Sequence, residues 1–216
     1  MSFVIYDIIF LVLFLAGTSF FLYKRRKNLK REGLLYIYRT RWGINLINFI
    51  GKKYKKTLKV LSYFSILSGY LLMIGMFYLT YILVKIYVFS PEIVKAIKIP
   101  PILPLVPYLP QVFKLEFLPP FYFTYWIVII AVIAITHEMA HGILAAYNKI
   151  KIKTTGFGFF PYFLPIFLAA FVEPDEKIMQ KKTKFSQMAV ISAGTFANVL
   201  TAILFFIILI LFSSLM

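Results

Sequence analysis

Residues 135–145 read I-T-H-E-M-A-H-G-I-L-A and follow the apolar run W-I-V-I-I-A-V-I-A at 126–134. His137 and His141 are the only two histidines of the 216 residues, so their spacing carries all the imidazole chemistry this chain has. On a helix, positions i and i+4 lie one turn apart on the same face, and both rings can reach one tetrahedral zinc ion. Glu138 projects from the adjacent face. There it can act as a general base on a water molecule without itself being a ligand. Zinc would polarise a carbonyl and acidify that water, which is the chemistry of peptide-bond hydrolysis. A His–Glu pair that merely cross-links helices is the competing explanation. It leaves unexplained why both histidines fall at zinc spacing.

The setting of the motif decides the fold class. Hydrophobic residues make up 61% of the chain and charged residues 15%, more apolar surface than a soluble domain of this length can hide. Four runs are long enough for the roughly 20 residues a membrane span needs: 2–23, 60–89, 121–147 and 188–216. Helix is the form that satisfies their backbone groups in lipid. The net charge of +16 sits between these runs, as expected of anchors for anionic headgroups. The expected partner is therefore a lipid bilayer and not nucleic acid. With no cysteine, disulfides and thiolate metal sites are excluded.

Lysine and arginine set the orientation. Residues 24–59 hold 13 of them, 85–120 hold 4, and 148–184 hold 7. The rich, poor, rich order places the first and third segments in the cytoplasm and the N-terminus outside. The poor segment carries 8 of the 11 prolines and reads as an irregular outer loop. Residues 156–172, G-F-G-F-F-P-Y-F-L-P-I-F-L-A-A-F-V, are apolar but interrupted by Pro161 and Pro165, with lysines on both flanks. This segment is expected to dip into the membrane and return to the same side, against a cavity beside the motif helix. The expected fold is an all-α polytopic membrane protein of about four transmembrane helices with a short re-entrant β-like segment. Its parts are 1–59 (first span and basic loop), 60–120 (second span and proline-rich loop) and 121–216 (the core bearing the motif).

His137 lies 16 residues beyond Phe121, about 24 Å along a helix rising about 1.5 Å per residue and so towards the cytoplasmic side. Asn198, the one asparagine of the last span, approaches a similar depth from the other side. Its neighbours Ser192, Ala193, Gly194 and Ala197 are small enough for close helix approach. An asparagine there either bridges helices or hydrogen-bonds a substrate backbone.

T-H-E-M-A-H-G, then G-F-G-F-F-P, then A-F-V-E-P-D-E, then F-S-Q-M-A-V-I-S-A-G-T-F-A-N together resemble the site-2 protease family, over roughly residues 122–212. The resemblance implies an intramembrane zinc metalloprotease of regulated intramembrane proteolysis, acting on transmembrane protein substrates near the cytoplasmic leaflet. It implies that His137 and His141 ligate zinc, that Glu138 is the catalytic base, and that Asn198 supports substrate or transition state. It also implies that Gly156, Phe157 and Gly158 belong to an edge-like strand, near 156–170, that binds unwound substrate by strand addition. Thr195 stands where the family usually has proline. The family's third ligand is an Asp followed by Gly, and Asp-Gly occurs nowhere in this sequence. Three explanations are open: the chain is an N-terminal piece of a longer protein, which is the favoured one, or it is truncated, or Asp7 or Glu173 substitutes. The alternative function is a catalytically inactive or truncated relative that binds membrane helices without cleaving them. A metal transporter is disfavoured, because outside the motif only Asp7 lies within a span.

Overall fold

A computed structural model describes residues 3–33, 35–90, 92, 106–115, 118–159 and 168–215. Four helices are long and apolar enough to cross a membrane: α1 (Phe3–Arg25), α3 (Lys55–Phe89), α5 (Phe123–Tyr147) and α7 (Lys184–Ser214). They coincide with the four runs read from the sequence. Short helices lie between them: α2 (Ile44–Lys53), α4 (Leu109–Val112) and α6 (Glu176–Gln180). The outer faces of the long helices expose large side chains such as Phe77, Phe206 and Leu211, a surface suited to lipid. The centre of the proline-rich loop lies outside the described residues.

The all-α expectation needs correction. Four strands, β1 (Leu29–Glu32), β2 (Leu35–Thr40), β3 (Ile152–Phe159) and β4 (Leu168–Pro174), form one antiparallel sheet in the order β1-β2-β3-β4. The first two come from the segment read as a basic loop. L-Y-I-Y-R-T is rich in β-branched and aromatic residues, and pairing with β3 satisfies its backbone (Tyr36 opposite Phe159, Thr40 opposite Thr155). The segment expected to be re-entrant supplies β3 and β4, while Pro161 and Pro165 lie outside the described residues. The expected edge strand is also corrected. Gly156, Phe157 and Gly158 of β3 are paired on both sides, with Arg39, Tyr38 and Ile37 and with Phe171, Ala170 and Ala169. Among the described residues the edge strands are β1 and β4.

Helix α5 is located at both ends. Near its C-terminus it packs on α2, where Gly142 and Gly51 permit contact too close for side chains: a Cβ on Gly142 would meet Ile47 and Val172, and one on Gly51 would meet Ala146. Ile47, Leu144, Ala145 and Ile150 are buried there with Ala189 and Val190 of α7. At the N-terminus, Tyr122 supplies no side-chain cap. Asp7 of α1 does so from the neighbouring helix. It accepts from Phe123 N (3.0 Å), Thr124 N (2.8 Å) and Thr124 Oγ1 (2.5 Å), and from the Tyr108 hydroxyl. An anion at free helix-start N–H groups is favoured by both hydrogen bonding and the helix dipole. Asp7 is only 2% exposed, so its removal orphans buried donors. Asp7→Ala is expected to destabilise the protein by roughly 2–3 kcal/mol, read as a lowered thermal midpoint in detergent, with Asp7→Asn recovering part of the loss.

Candidate metal centre

The HExxH segment lies in the last three turns of α5, antiparallel to α7. Residues 190, 194 and 198 of α7 recur every four positions and so share one face of that helix. That face meets the two histidines. Nδ1 of His141 lies 2.6 Å from the Val190 carbonyl oxygen. A carbonyl only accepts, so Nδ1 carries a proton and, in the neutral ring, Nε2 keeps its lone pair. Nδ1 of His137 lies 3.1 Å from the Asn198 side-chain amide. Between these two contacts sits Gly194. A Cβ built on it would overlap Nε2 of His137 and Nε2 of His141. Both Nε2 atoms therefore lie close together, against the bare backbone of Gly194. The rings meet edge to face with centroids 4.8 Å apart.

The donor set suits zinc: two imidazoles bring their Nε2 atoms together, and one of them has its remote nitrogen fixed by a backbone acceptor, as metal-bound histidines ordinarily do. Among the described residues no cluster of three His, Cys, Asp or Glu is present. The two substitutes considered for the third ligand are not drawn in. Asp7 caps the opposite end of α5. Glu173 points away on the other face of β4 from Val172, held by Thr154 Oγ1 (2.7 Å) and Arg39 Nε (3.3 Å). The Thr154 hydroxyl and the Arg39 guanidinium hold its carboxyl below the usual carboxylate range, against the opposing effect of burial.

Glu138 faces β4. Its Oε2 accepts from the backbone N–H of Val172 at 2.9 Å. Alternation along an antiparallel strand then sends N–H and C=O of Ala170 out of the same free edge. Beside Glu138 lies a cavity of about 480 Å³, between the sheet, α2 and α5, bounded by Glu138, Gly156, Phe157, Phe171, Trp42 and Leu46. A second cavity, of about 450 Å³, reaches His141 past Glu176, Gln180 and Gln187, and Val172 borders both. A cavity beside the motif helix was expected. Gly156 and Phe157 line it, whereas Gly158 does not. Thr195, at the family's usual proline position, donates to Ser192 O at 2.9 Å within an unbroken helix.

Sequence reasoning missed Val172, Val190, Trp42 and Leu46. The first two act through backbone atoms, which no side-chain pattern announces. Trp42 and Leu46 come from a segment with no motif.

Residues 125–215 match the model of Peptidase family M50, the site-2 protease family. The matched stretch contains the HExxH segment, β4 and Asn198. The resemblance read from the motifs is thus borne out over that stretch, which supports a membrane-embedded metallopeptidase. No curated protein and no solved structure matches the chain.

Any side chain at position 194 collides with both imidazoles and displaces them. Gly194→Ala is expected to weaken zinc binding at least about tenfold, the scale on which disturbed ligand surroundings are felt, while helix content in detergent is unchanged. Zinc per purified chain, measured beside the parent protein, checks this.

Proposed function

We propose that the chain is the catalytic part of a zinc-dependent intramembrane endopeptidase that cuts transmembrane helices close to one membrane face. The observation that carries this reading is the convergence of both histidine Nε2 atoms over Gly194, with Glu138 aimed at a free strand edge beside a cavity. His137 and His141 would hold the metal, which when bound polarises the scissile carbonyl and favours loss of a proton from water.

The remaining steps belong to the chain itself. A substrate helix unwinds locally, and its extended backbone pairs with Ala170 along the edge of β4. Val172 N–H is already engaged by Glu138, so pairing stops there and the next peptide bond lies beside the acid. A large apolar side chain of the substrate occupies the cavity at Trp42 and Leu46, whose volume lies within the range of roughly 300–1,000 Å³ typical of binding sites. Oε2 of Glu138 is fixed by Val172, leaving Oε1 to take the proton of the attacking water. Glu138 then delivers that proton to the departing nitrogen as the C–N bond breaks. Water enters through the second cavity, past Gln180 and Gln187. The sheet end of the molecule collects the basic flanks of the spans and faces the cytoplasm under this reading.

A non-cleaving relative that binds membrane helices is the second reading. It is favoured by the two-histidine ligand set found among the described residues. The readings separate in proteoliposomes containing a transmembrane substrate peptide. If the chain is a protease, about one zinc per chain is bound, as a single catalytic site requires, and is lost in His137→Ala. Glu138→Gln then keeps the zinc and loses roughly 10²–10⁴-fold in cleavage rate. Binding without cleavage by the zinc-loaded parent protein would establish the second reading.

Proline at 172 offers a finer check. It is tolerated where a strand N–H leaves the sheet, yet it removes the donor to Glu138. Val172→Pro is expected to keep fold and zinc while cleavage falls about tenfold, the worth of roughly one hydrogen bond to a charged group.

A further inference from the structure

We propose that Asn198 is a positioning residue. Its amide oxygen holds His137 with the proton on Nδ1 and so leaves Nε2 bare for the metal. The inference rests on the metal-site reading above, but the tautomer it specifies is a property of the chain with or without metal.

The 3.1 Å contact between the Asn198 amide and His137 Nδ1 admits two arrangements. With the amide nitrogen donating, Nδ1 is an acceptor and the proton sits on Nε2, which then cannot ligate. With the amide oxygen accepting, the proton sits on Nδ1 and Nε2 is free. Hydrogen-bond satisfaction alone does not decide. Oδ1 is buried and without a partner in the first arrangement, and turning the amide transfers that position to its nitrogen. The metal face decides. Nε2, not Nδ1, is the atom that meets Nε2 of His141 over Gly194. For Nε2 to ligate, the proton of the neutral ring must be on Nδ1, and of the two amide atoms only Oδ1 can receive it.

The same helix already does this for the other histidine, through the Val190 carbonyl at 2.6 Å. Residues 190, 194 and 198 then form one device on a single face of α7: an acceptor for His141, a bare turn against which both Nε2 atoms lie, and an acceptor for His137. Partners of this kind fix ring orientation and tautomer, and their loss typically costs 10–100-fold in metal affinity. A role in bridging helices alone makes no demand on which amide atom faces the ring.

The test uses full-length protein in detergent micelles. Because the chain has two histidines, ¹⁵N-histidine labelling gives two rings, assigned by His141→Gln. In metal-free protein both are expected as the Nδ1–H tautomer. An Nε2–H tautomer at His137 overturns the proposal. Zinc affinity is then measured by competition with a chromogenic chelator. Asn198→Leu is expected to bind 10–100-fold more weakly, and Asn198→Asp, which retains an acceptor oxygen, no more weakly than the parent. Thr195→Leu, on the exposed side of the same turn, serves as the control for added bulk. Equal affinity in the parent and Asn198→Leu overturns the proposal, as does equal weakening by Leu and Asp. If the Nδ1–H tautomer is found and lost in Asn198→Leu while the parent binds no zinc, Asn198 has the assigned role and the metalloprotease reading falls.

Discussion

The antiparallel seam between α5 and α7 is the constraint on which the site depends. Two imidazoles can present Nε2 to one point only if the facing helix approaches closely and carries nothing there. Gly194 supplies that gap, and Ala189, Ala193 and Val190 pack the seam around it with almost no exposed surface. In lipid, apolar side chains gain little by leaving a solvent as apolar as they are, so close packing and interhelical hydrogen bonds must hold such a seam. The His141–Val190 hydrogen bond and the His137–Asn198 contact are bonds of that kind. The interactions that hold the helices together and those that orient the imidazoles are therefore the same ones. α3 completes the packing behind α7, where Ser65 donates to the Ala189 carbonyl at 3.1 Å and Gly69 allows Ser192 to approach.

The seam sets the rings but not the axial position of Glu138 against the strand. Two further fixtures do that. Asp7 anchors the N-terminal end of α5 to α1, and the glycine contacts at Gly142 and Gly51 anchor the C-terminal end to α2. β4 is fixed independently, through its register with β3 and the Glu173–Arg39–Glu32 chain of ion pairs. These surface pairs are each worth little, and the backbone ladder carries the strand. With α5 and β4 each located, Val172 N–H and Glu138 meet at hydrogen-bond distance.

Much of this was legible in the sequence, and what was not has a physical reason. The four long apolar helices followed from apolar runs of sufficient length, and the meeting of the His137 and His141 rings followed from their helical spacing. The sheet was partly hidden. β1 and β2 lie among basic residues, so charge suggested a loop, although Leu35–Thr40 carries β-forming residues. The choice of edge strand could not be read locally. It depends on β2 returning from over a hundred residues away to cover β3, which leaves β4 free. Asn198 was noticed because asparagine is costly in an apolar helix, but its partner was not evident, since depth along a helix gives height and not azimuth.

A common pattern runs through the polar groups in the long helices. Asp7 is held by two N–H groups at the start of α5 together with the Thr124 and Tyr108 hydroxyls, His141 by the Val190 carbonyl, and Glu138 by the Val172 amide. A buried polar group is expensive without a partner, and here each of the three has a backbone partner, exposed by a helix start, a tightly packed turn or a strand edge. Backbone partners are available whatever side chain occupies the position, so such a site tolerates sequence change around it while keeping its geometry. They are also rigid, because moving them requires moving a whole element. A side-chain partner such as Asn198 has neither property, since its amide can turn about its own axis and present either a donor or an acceptor. That freedom makes position 198 the place where a single substitution separates a role in packing from a role in setting the metal face.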